Sequence, residues 1–277
     1  LKLIRVVQGA AVVGIALVLI ALWKQEHVRP MSREERAQPR PAFGDAWRDF
    51  MDGGRAGRLL VCVFVGTMAF NMQDVLLEPY GGEILGLSVS ATTLLTALWA
   101  AGALFGFALA GARLAKGSNP YRLAGAGIVA GIWAFSLVIF AAPMQSNVLF
   151  YAGAGIIGFG GGLFAVATLT AAMTMPATGT AGRGLALGAW GAAQATAAGL
   201  SIAIGGGLRD WIDHAAMSGQ LGEALMSPAT GYSFVYHTEI GLLFVTLVIL
   251  GPLVRQSGSL TPQDVGTRPM GLADFPT

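Results

Sequence analysis

Long apolar segments alternate with short polar turns along the whole chain. Each apolar segment has about 20 residues or more, enough for a helix to cross a hydrocarbon core of about 30 Å. A transmembrane barrel strand needs only about half that length, so helices are the expected elements. The segments are 3–23, 59–79, 91–112, 122–142, 148–173, 184–207 and 234–254. The pattern therefore predicts an all-α polytopic membrane protein with about seven transmembrane helices.

Two stretches between these segments are amphipathic rather than uniformly polar. In the loop 24–58, apolar residues recur at helical spacing, which predicts a helix that either lies on the membrane face or is an ordinary connector. These residues are Phe43, Trp47, Phe50 and Met51. The region 208–233 carries a similar short pattern and is predicted to contain an interfacial helix. Its apolar positions are Leu208, Trp211, Ile212 and Ala215.

Composition supports the membrane assignment and excludes several function classes. Hydrophobic residues make up 54% of the chain and charged residues only 12%, against about 25% charged residues in soluble domains. The net charge of +2 is too small and dispersed to predict nucleic-acid binding. The single cysteine cannot form an internal disulfide, and the three histidines lack metal-ligand spacing. The sequence contains no recognisable catalytic nucleophile, metal-binding cluster or phosphate-binding loop, so it does not predict an enzyme.

The distribution of lysine and arginine predicts the orientation in the membrane. Placing the loop 24–58 in the cytoplasm puts fourteen of the 17 basic residues on that side. Positive charge favours the cytoplasmic face of membrane proteins. The tail 256–277 is then also cytoplasmic.

The segment 59–79 contains two carboxylates one helical turn apart, Asp74 and Glu78. A charged side chain at the centre of a membrane helix costs about 2.5 kcal/mol or more, and less near the interface. Helical spacing predicts that Asn71 shares their face. Gln73 and Tyr80 lie in the same stretch. In a structural alternative, the two carboxylates cap backbone groups freed by Pro79 and the turn at 81–82.

Polar residues of other segments are expected near this pair. His237 and Glu239 enter segment 234–254 from the same side of the membrane, so the polar residues of two helices are predicted to share a layer. Gln194 lies near the middle of segment 184–207. It is interpreted either as an interhelical hydrogen-bond partner or as a ligand site.

Glycines are concentrated in two neighbouring segments. Gly153, Gly155 and Gly158 fit the spacing of a dinucleotide-binding loop, but they lie inside an apolar run with no preceding strand. They are therefore predicted to let helices approach closely. The glycines of segment 184–207, including Gly184 and Gly188, are predicted to pack against protein in the same way.

The turn between the segments 91–112 and 122–142 resembles the cytoplasmic signature of the major facilitator superfamily, commonly G-x-x-x-D-R-x-G-R-R. The corresponding residues are Gly111, Arg113, Lys116 and Arg122, and Ala115 stands at the aspartate position. This resemblance implies the C-terminal half of a facilitator-like fold. Residues 1–23 are then the last helix of an absent N-terminal half, 24–58 the central loop, and 59–255 a six-helix bundle.

Longer motifs resemble the PucC/LhaA family of purple phototrophic bacteria. They are FNMQDVLLEPYGGEILGLSVSATTLLTALWAAGALFGF (70–107), GFGGGLFAVATLTAAM (158–173), LALGAWGAAQATAAG (185–199) and ATGYSFVYHTEI (229–240). The resemblance implies an assembly factor for light-harvesting complexes that handles bacteriochlorophyll or antenna polypeptides during insertion. It also implies antenna polypeptides and the photosynthetic core complex as partners. The alternative is a secondary transporter coupled to protons through Asp74, Glu78 or Glu239.

Overall fold

The computed structural model describes residues 8–9, 12–16, 19–20, 42–52, 54–175 and 183–258. Two compact units divide the chain, and the larger one runs from Ala42 to Met270. In the smaller unit, the described parts of 8–20 are helical. Most of the predicted span 3–23 and of the tail 256–277 lies outside the described residues.

The described residues of the larger unit are mainly helical and contain no strand. The eight helices described there are α1 Phe43–Met51, α2 Arg55–Asn71, α3 Leu77–Glu83, α4 Val89–Ala115, α5 Pro120–Ala141, α6 Asn147–Met173, α7 Arg183–Met217 and α8 Ala229–Gly258. Short 3-10 turns lie at Met72–Val75 and Glu223–Leu225. With α2 and α3 taken as one span, six helical spans among the described residues are long and apolar enough to cross a membrane.

The six spans form two consecutive groups of three, and the last two spans of each group pack on the first span of the other group. Helices α4 and α5 pack mainly on α6, the first span of the second group, whereas α7 and α8 pack on α2, the first span of the first group. Consecutive spans with short connections run in opposite directions, so the two groups are inverted relative to each other. Inverted three-helix repeats of this kind are common in transporter folds. The relationship to a facilitator half stays a prediction.

Local sequence signals explain where the spans begin and end. Gly117 adopts a φ of +79° directly after α4, a left-handed conformation that ends helices and suits glycine. Helix α5 begins three residues later, at Pro120. The side chain of the preceding residue, Asn119, accepts hydrogen bonds from the backbone N–H groups of Tyr121 and Arg122. Pro120 occupies the first helical position, where its missing N–H costs nothing. The α4–α5 turn is therefore specified locally.

The glycines of α6 bring three helices into backbone contact, as predicted. A Cβ atom added at Gly106 of α4 would lie 2.5 Å from the carbonyl oxygen of Phe159. Between α5 and α6, a Cβ at Gly127 would lie 2.6 Å from the oxygen of Gly160. Both distances are far below van der Waals contact. Only glycine permits this separation of the helix backbones.

Two predictions about α7 are wrong. No atom from another part of the described chain lies within 4 Å of a Cβ placed at Gly184 or Gly188. Helix α7 packs through Ala197, Ser201 and Gly205, which leaves those glycines on its outer face. In addition, the region 208–217 is not a separate interfacial helix. It continues α7 to Met217, because no helix-terminating residue precedes Gly219, whose φ is +77°.

The amphipathic helix expected in the loop 24–58 is present as α1. Its aromatic residues contact each other, with ring centroids 6.1 Å apart for Phe43 and Trp47 and 5.9 Å apart for Trp47 and Phe50. None of its residues is fully buried. The predicted helix is therefore confirmed, and its position on the membrane face, as opposed to a plain connector role, stays a prediction.

Candidate functional site: a polar break inside the first span

The first span, Arg55–Glu83, is interrupted within its own length. Helix α2 ends at Asn71, a 3-10 turn follows, and the chain resumes as α3 at Leu77. The Asn71 side chain donates to the carbonyl oxygen of Thr67 at 2.8 Å, within its own helix. Asp74 and Glu78 are both exposed and Asn71 is half-buried, whereas the residues between them are mostly buried. The prediction that these three residues share one face therefore stays a prediction.

Glu239 of α8 lies beside this break and is fully buried. Among the described residues, neither of its carboxyl oxygens has a hydrogen-bond partner. The backbone of Gln73 approaches the carboxyl group without hydrogen-bond geometry, and Asp74 lies within electrostatic range. Gln73 and Glu239 are each ten residues from the same end of the bundle, about 15 Å at 1.5 Å per residue. Glu239 and the stretch that contains Gln73 and Asp74 therefore lie at the same level of the bundle, and the depth of this level in the membrane stays a prediction.

The other carboxylates of the segment have partners. The buried Gln73 side chain donates to the carboxylate of Asp74, which is itself exposed at the rim of the break. Glu78 is also exposed and accepts a hydrogen bond from the hydroxyl of Thr96 on α4. Asp74 and Glu78 each accept their hydrogen bond from a side chain and not from a backbone N–H group. These contacts therefore do not support the structural alternative in which the two carboxylates cap freed backbone groups. Glu239 is therefore the acid that lacks a partner among the described residues. Its burial is costly, because a buried polar group without a hydrogen bond loses its hydration without compensation.

An aromatic cluster backs the polar layer. Tyr80 of α3 contacts Tyr232 and Tyr236 of α8 edge to face, with both centroid distances at 5.4 Å, and Phe150 of α6 at the same distance. Such pairs add about 0.5–1.5 kcal/mol beyond the area that they bury. Tyr80 is thus a packing residue, which fixes α3 against α6 and α8.

Sequence reasoning missed an ionic cluster next to these aromatic rings. Arg209 of α7 donates to the carboxylate of Glu83 at 3.0 Å and to the hydroxyl of Tyr232 at 3.1 Å. The Tyr232 hydroxyl donates to the same Glu83 oxygen at 2.7 Å. These three residues, the Arg209 cluster, join α3, α7 and α8. The sequence offered one sign of this cluster: Arg209 is the single basic residue between Arg183 and Arg255.

Replacing Arg209 by Gln is expected to destabilise the bundle by about 1–2 kcal/mol, because the hydrogen bonds to Glu83 and Tyr232 are lost. The partial exposure of Glu83, whose side chain is 54% accessible, reduces this value through screening. A thermal unfolding curve of the purified protein measures it. Arg58→Gln, at an exposed position of α2, is the control. Equal melting temperatures for the two variants would contradict a structural role of the cluster.

Three other predicted site residues lie apart from the polar break. His237 is exposed on the opposite side of α8 from Glu239, and its Nδ1 lies 2.6 Å from the carbonyl oxygen of Ser233. The prediction that it joins the layer is wrong, since a spacing of two residues points side chains about 200° apart on a helix. Gln194 is half-buried on α7, and Glu78 lies at the surface.

The four signature residues of the facilitator-like turn do not all lie together in the structure. Arg113 and Arg122 line one cavity where α4, α5 and α6 meet. Gly111 and Lys116 are exposed and do not line it. The turn thus brings two of its four signature residues together.

This fold and this break define a polytopic α-helical membrane protein whose buried acid, Glu239, has no hydrogen-bond partner among the described residues. The chain belongs to the PUCC protein family, whose model matches residues 1–258. It is 55% identical, over its whole length, to an "Uncharacterized protein in puhA-bchM intergenic region" of Rhodobacter capsulatus, of which it covers 58%.

Two further relatives carry informative names. "Protein PucC" of Cereibacter sphaeroides is 43% identical over 92% of this chain and 54% of that protein. "Bacteriochlorophyll synthase 44.5 kDa chain" of Rhodobacter capsulatus is 27% identical over 93% of this chain and 58% of that protein. The chain therefore spans about half the length of these relatives. No solved structure matches it.

Proposed function

We propose that the protein helps to assemble light-harvesting complexes by handling bacteriochlorophyll and antenna polypeptides during their insertion into the photosynthetic inner membrane. Its partners would be antenna polypeptides and the photosynthetic core complex. Family membership and the names of the relatives support a role connected with photosynthetic complexes. The surface chemistry of α8 supports pigment handling in particular.

The observation that carries the proposal is the environment of His237. The carbonyl oxygen of Ser233 can only accept a hydrogen bond, so the adjacent Nδ1 must carry the proton. In the neutral imidazole, Nε2 is then the nitrogen that carries the lone pair. A histidine whose second nitrogen donates to a backbone carbonyl has the usual arrangement of a metal-ligating imidazole. His237 is therefore suited to coordinate the magnesium of a bacteriochlorophyll presented from the membrane.

The surroundings of His237 suit a flat macrocycle. Gly241 lies one helical turn further along the same face, and nothing from elsewhere in the described chain comes within 4 Å of its Cβ position. Phe234 and Phe244 on this face are 46% and 54% exposed. An imidazole above an open glycine, between two aromatic side chains, provides a ligand and an apolar surface for the ring.

The outer face of α7 suits an antenna polypeptide. Along it, Gly184, Gly188 and Gly199 meet no other part of the described chain within 4 Å. Small residues let a second transmembrane helix approach closely. An antenna helix docked there would gain the backbone contact that α4 and α6 obtain inside the bundle.

We expect His237→Leu and Gly241→Leu, made in the intact protein, to lower antenna absorbance per cell by at least about tenfold. The first change removes the ligand, and the second fills the space for the ring. Membrane levels of the protein should not change, because both positions are exposed. His214→Leu, at an exposed position near the end of α7, is the matched control. Normal antenna levels in both variants would contradict pigment handling at this face.

A proton-coupled transporter is the second candidate, and the Asp74–Glu239 pair favours it. Intramembrane carboxyl groups next to a helix break are typical of proton pathways. A transporter would lose proton-driven uptake when Glu239 is replaced while its pigment content stayed unchanged.

A further inference from the structure

A cavity of about 500 Å³ opens at the end of the bundle where the α4–α5 turn meets α6. Its lining includes neither a residue of the polar break nor His237. Its walls come from two parts of different chemistry. The polar part holds Arg113, Ser118, Asn119 and Arg122, and the apolar part holds Leu109, Leu123, Ala126, Phe159 and Leu163.

The two arginines have no anionic partner in their region. The sequence contains no Asp or Glu between Glu83 and Asp210. Neither Arg113 nor Arg122 takes part in the ion pairs found among the described residues, which join Arg209 to Glu83 and Asp210. Arg122 also stands in the first turn of α5, where the helix dipole disfavours a cation. Two arginines at one cavity therefore form a site of uncompensated positive charge.

The apolar wall determines what kind of anion suits this cavity. Leu109 comes from α4, Leu123 and Ala126 from α5, and Phe159 and Leu163 from α6. These side chains continue from the arginines towards the membrane interior. A small hydrated anion gains nothing from such a wall, whereas an acyl chain does. The complementary ligand carries its negative charge at one end and hydrocarbon at the other.

We propose that this cavity binds an anionic phospholipid, with the phosphate between Arg113 and Arg122 and an acyl chain along the apolar wall. Basic pockets between transmembrane helices bind anionic lipid headgroups in this way. The site is independent of the proposed role in antenna assembly. It fixes the α4–α5 turn to the lipid headgroup layer.

Native mass spectrometry of the intact purified protein with added phosphatidylglycerol or phosphatidylcholine tests this site. We expect preferential retention of phosphatidylglycerol. Each arginine should contribute about fivefold to affinity, so Arg113→Gln/Arg122→Gln should bind roughly 25-fold more weakly. Lys116→Gln, in the same turn but outside the cavity, should bind like the unchanged protein. Equal retention of the two lipids, or full retention by the double variant, would overturn the proposal.

A second variant distinguishes a lipid from a free phosphate. Ala126→Trp fills the apolar wall and leaves both arginines in place, so phosphatidylglycerol binding should fall while inorganic phosphate cannot compete with the lipid. Displacement of the lipid by millimolar phosphate, or unchanged lipid binding in Ala126→Trp, would show that the apolar wall is not a lipid site. Far-ultraviolet circular dichroism confirms that each variant is folded.

Discussion

Gly158→Leu is expected to prevent stable folding of the bundle. A Cβ atom at Gly158 would lie 2.8 Å from the carbonyl carbon of Trp99 on α4 and closer still to its oxygen. Since both partners are backbone atoms, no side-chain rotation relieves the overlap, and α4 would have to move away from α6. We expect a loss of about 3 kcal/mol or more, the upper end for overpacked cores. Fluorescence-detected size exclusion after heating measures it.

Gly188→Leu on α7 is the matched control for this prediction. Position 188 faces open space within the described chain, so the larger side chain meets nothing there. Leucine also favours a helix over glycine by up to about 1 kcal/mol. The variant should therefore melt at the same temperature or slightly higher. Similar destabilisation of both variants would contradict the packing described for α6 and α7.

Glu239→Gln is expected to leave the protein folded and inserted but to lower antenna absorbance by roughly tenfold. The amide has nearly the same shape, and an unpaired buried carboxyl is costly to keep, so stability should be unchanged or increase by about 1 kcal/mol. A costly group that lacks a partner in this state points to a second state that pairs it. Two nearby side chains are able to donate to it: Gln73, now bonded to Asp74, and Tyr236, whose buried hydroxyl has no hydrogen-bond partner among the described residues.

Protein level and antenna absorbance are measured in the same membranes to separate the two effects. Glu223→Gln, in the exposed 3-10 turn before α8, is the control and should behave like the unchanged protein. A joint loss of protein and antenna would show that Glu239 is structural. Normal antenna with loss of proton-driven uptake would favour the transporter.

The spans were predictable because hydropathy reports directly on burial in the bilayer. Their interruptions were not. Pro79 cannot donate to the Val75 carbonyl and therefore disfavours a continuous helix there, but it does not specify a 3-10 turn at Met72–Val75. At this turn α7 comes close, with a Cβ at Gly205 lying 2.9 Å from the Met72 oxygen, and that contact is not visible in the local sequence. Helix α7 extends to Met217 because nothing stops it earlier, although its amphipathic end resembled a separate element.

The candidate site was only partly predictable for a related reason. Helical periodicity shows that His237 and Glu239 point in nearly opposite directions, but it does not say which of them is buried. That depends on α8 packing against α2 and the 3-10 turn. The Arg209 cluster joins residues that are distant in sequence, such as Glu83 and Tyr232, so no local pattern could reveal it.

An absorption spectrum of the intact protein, purified from pigmented membranes in mild detergent, tests the central claim most directly. We expect bacteriochlorophyll to co-purify with the unchanged protein and with His214→Leu, and to be lost from His237→Leu. Colourless protein, or equal pigment in all three preparations, would contradict the proposal that α8 presents a pigment ligand to the membrane.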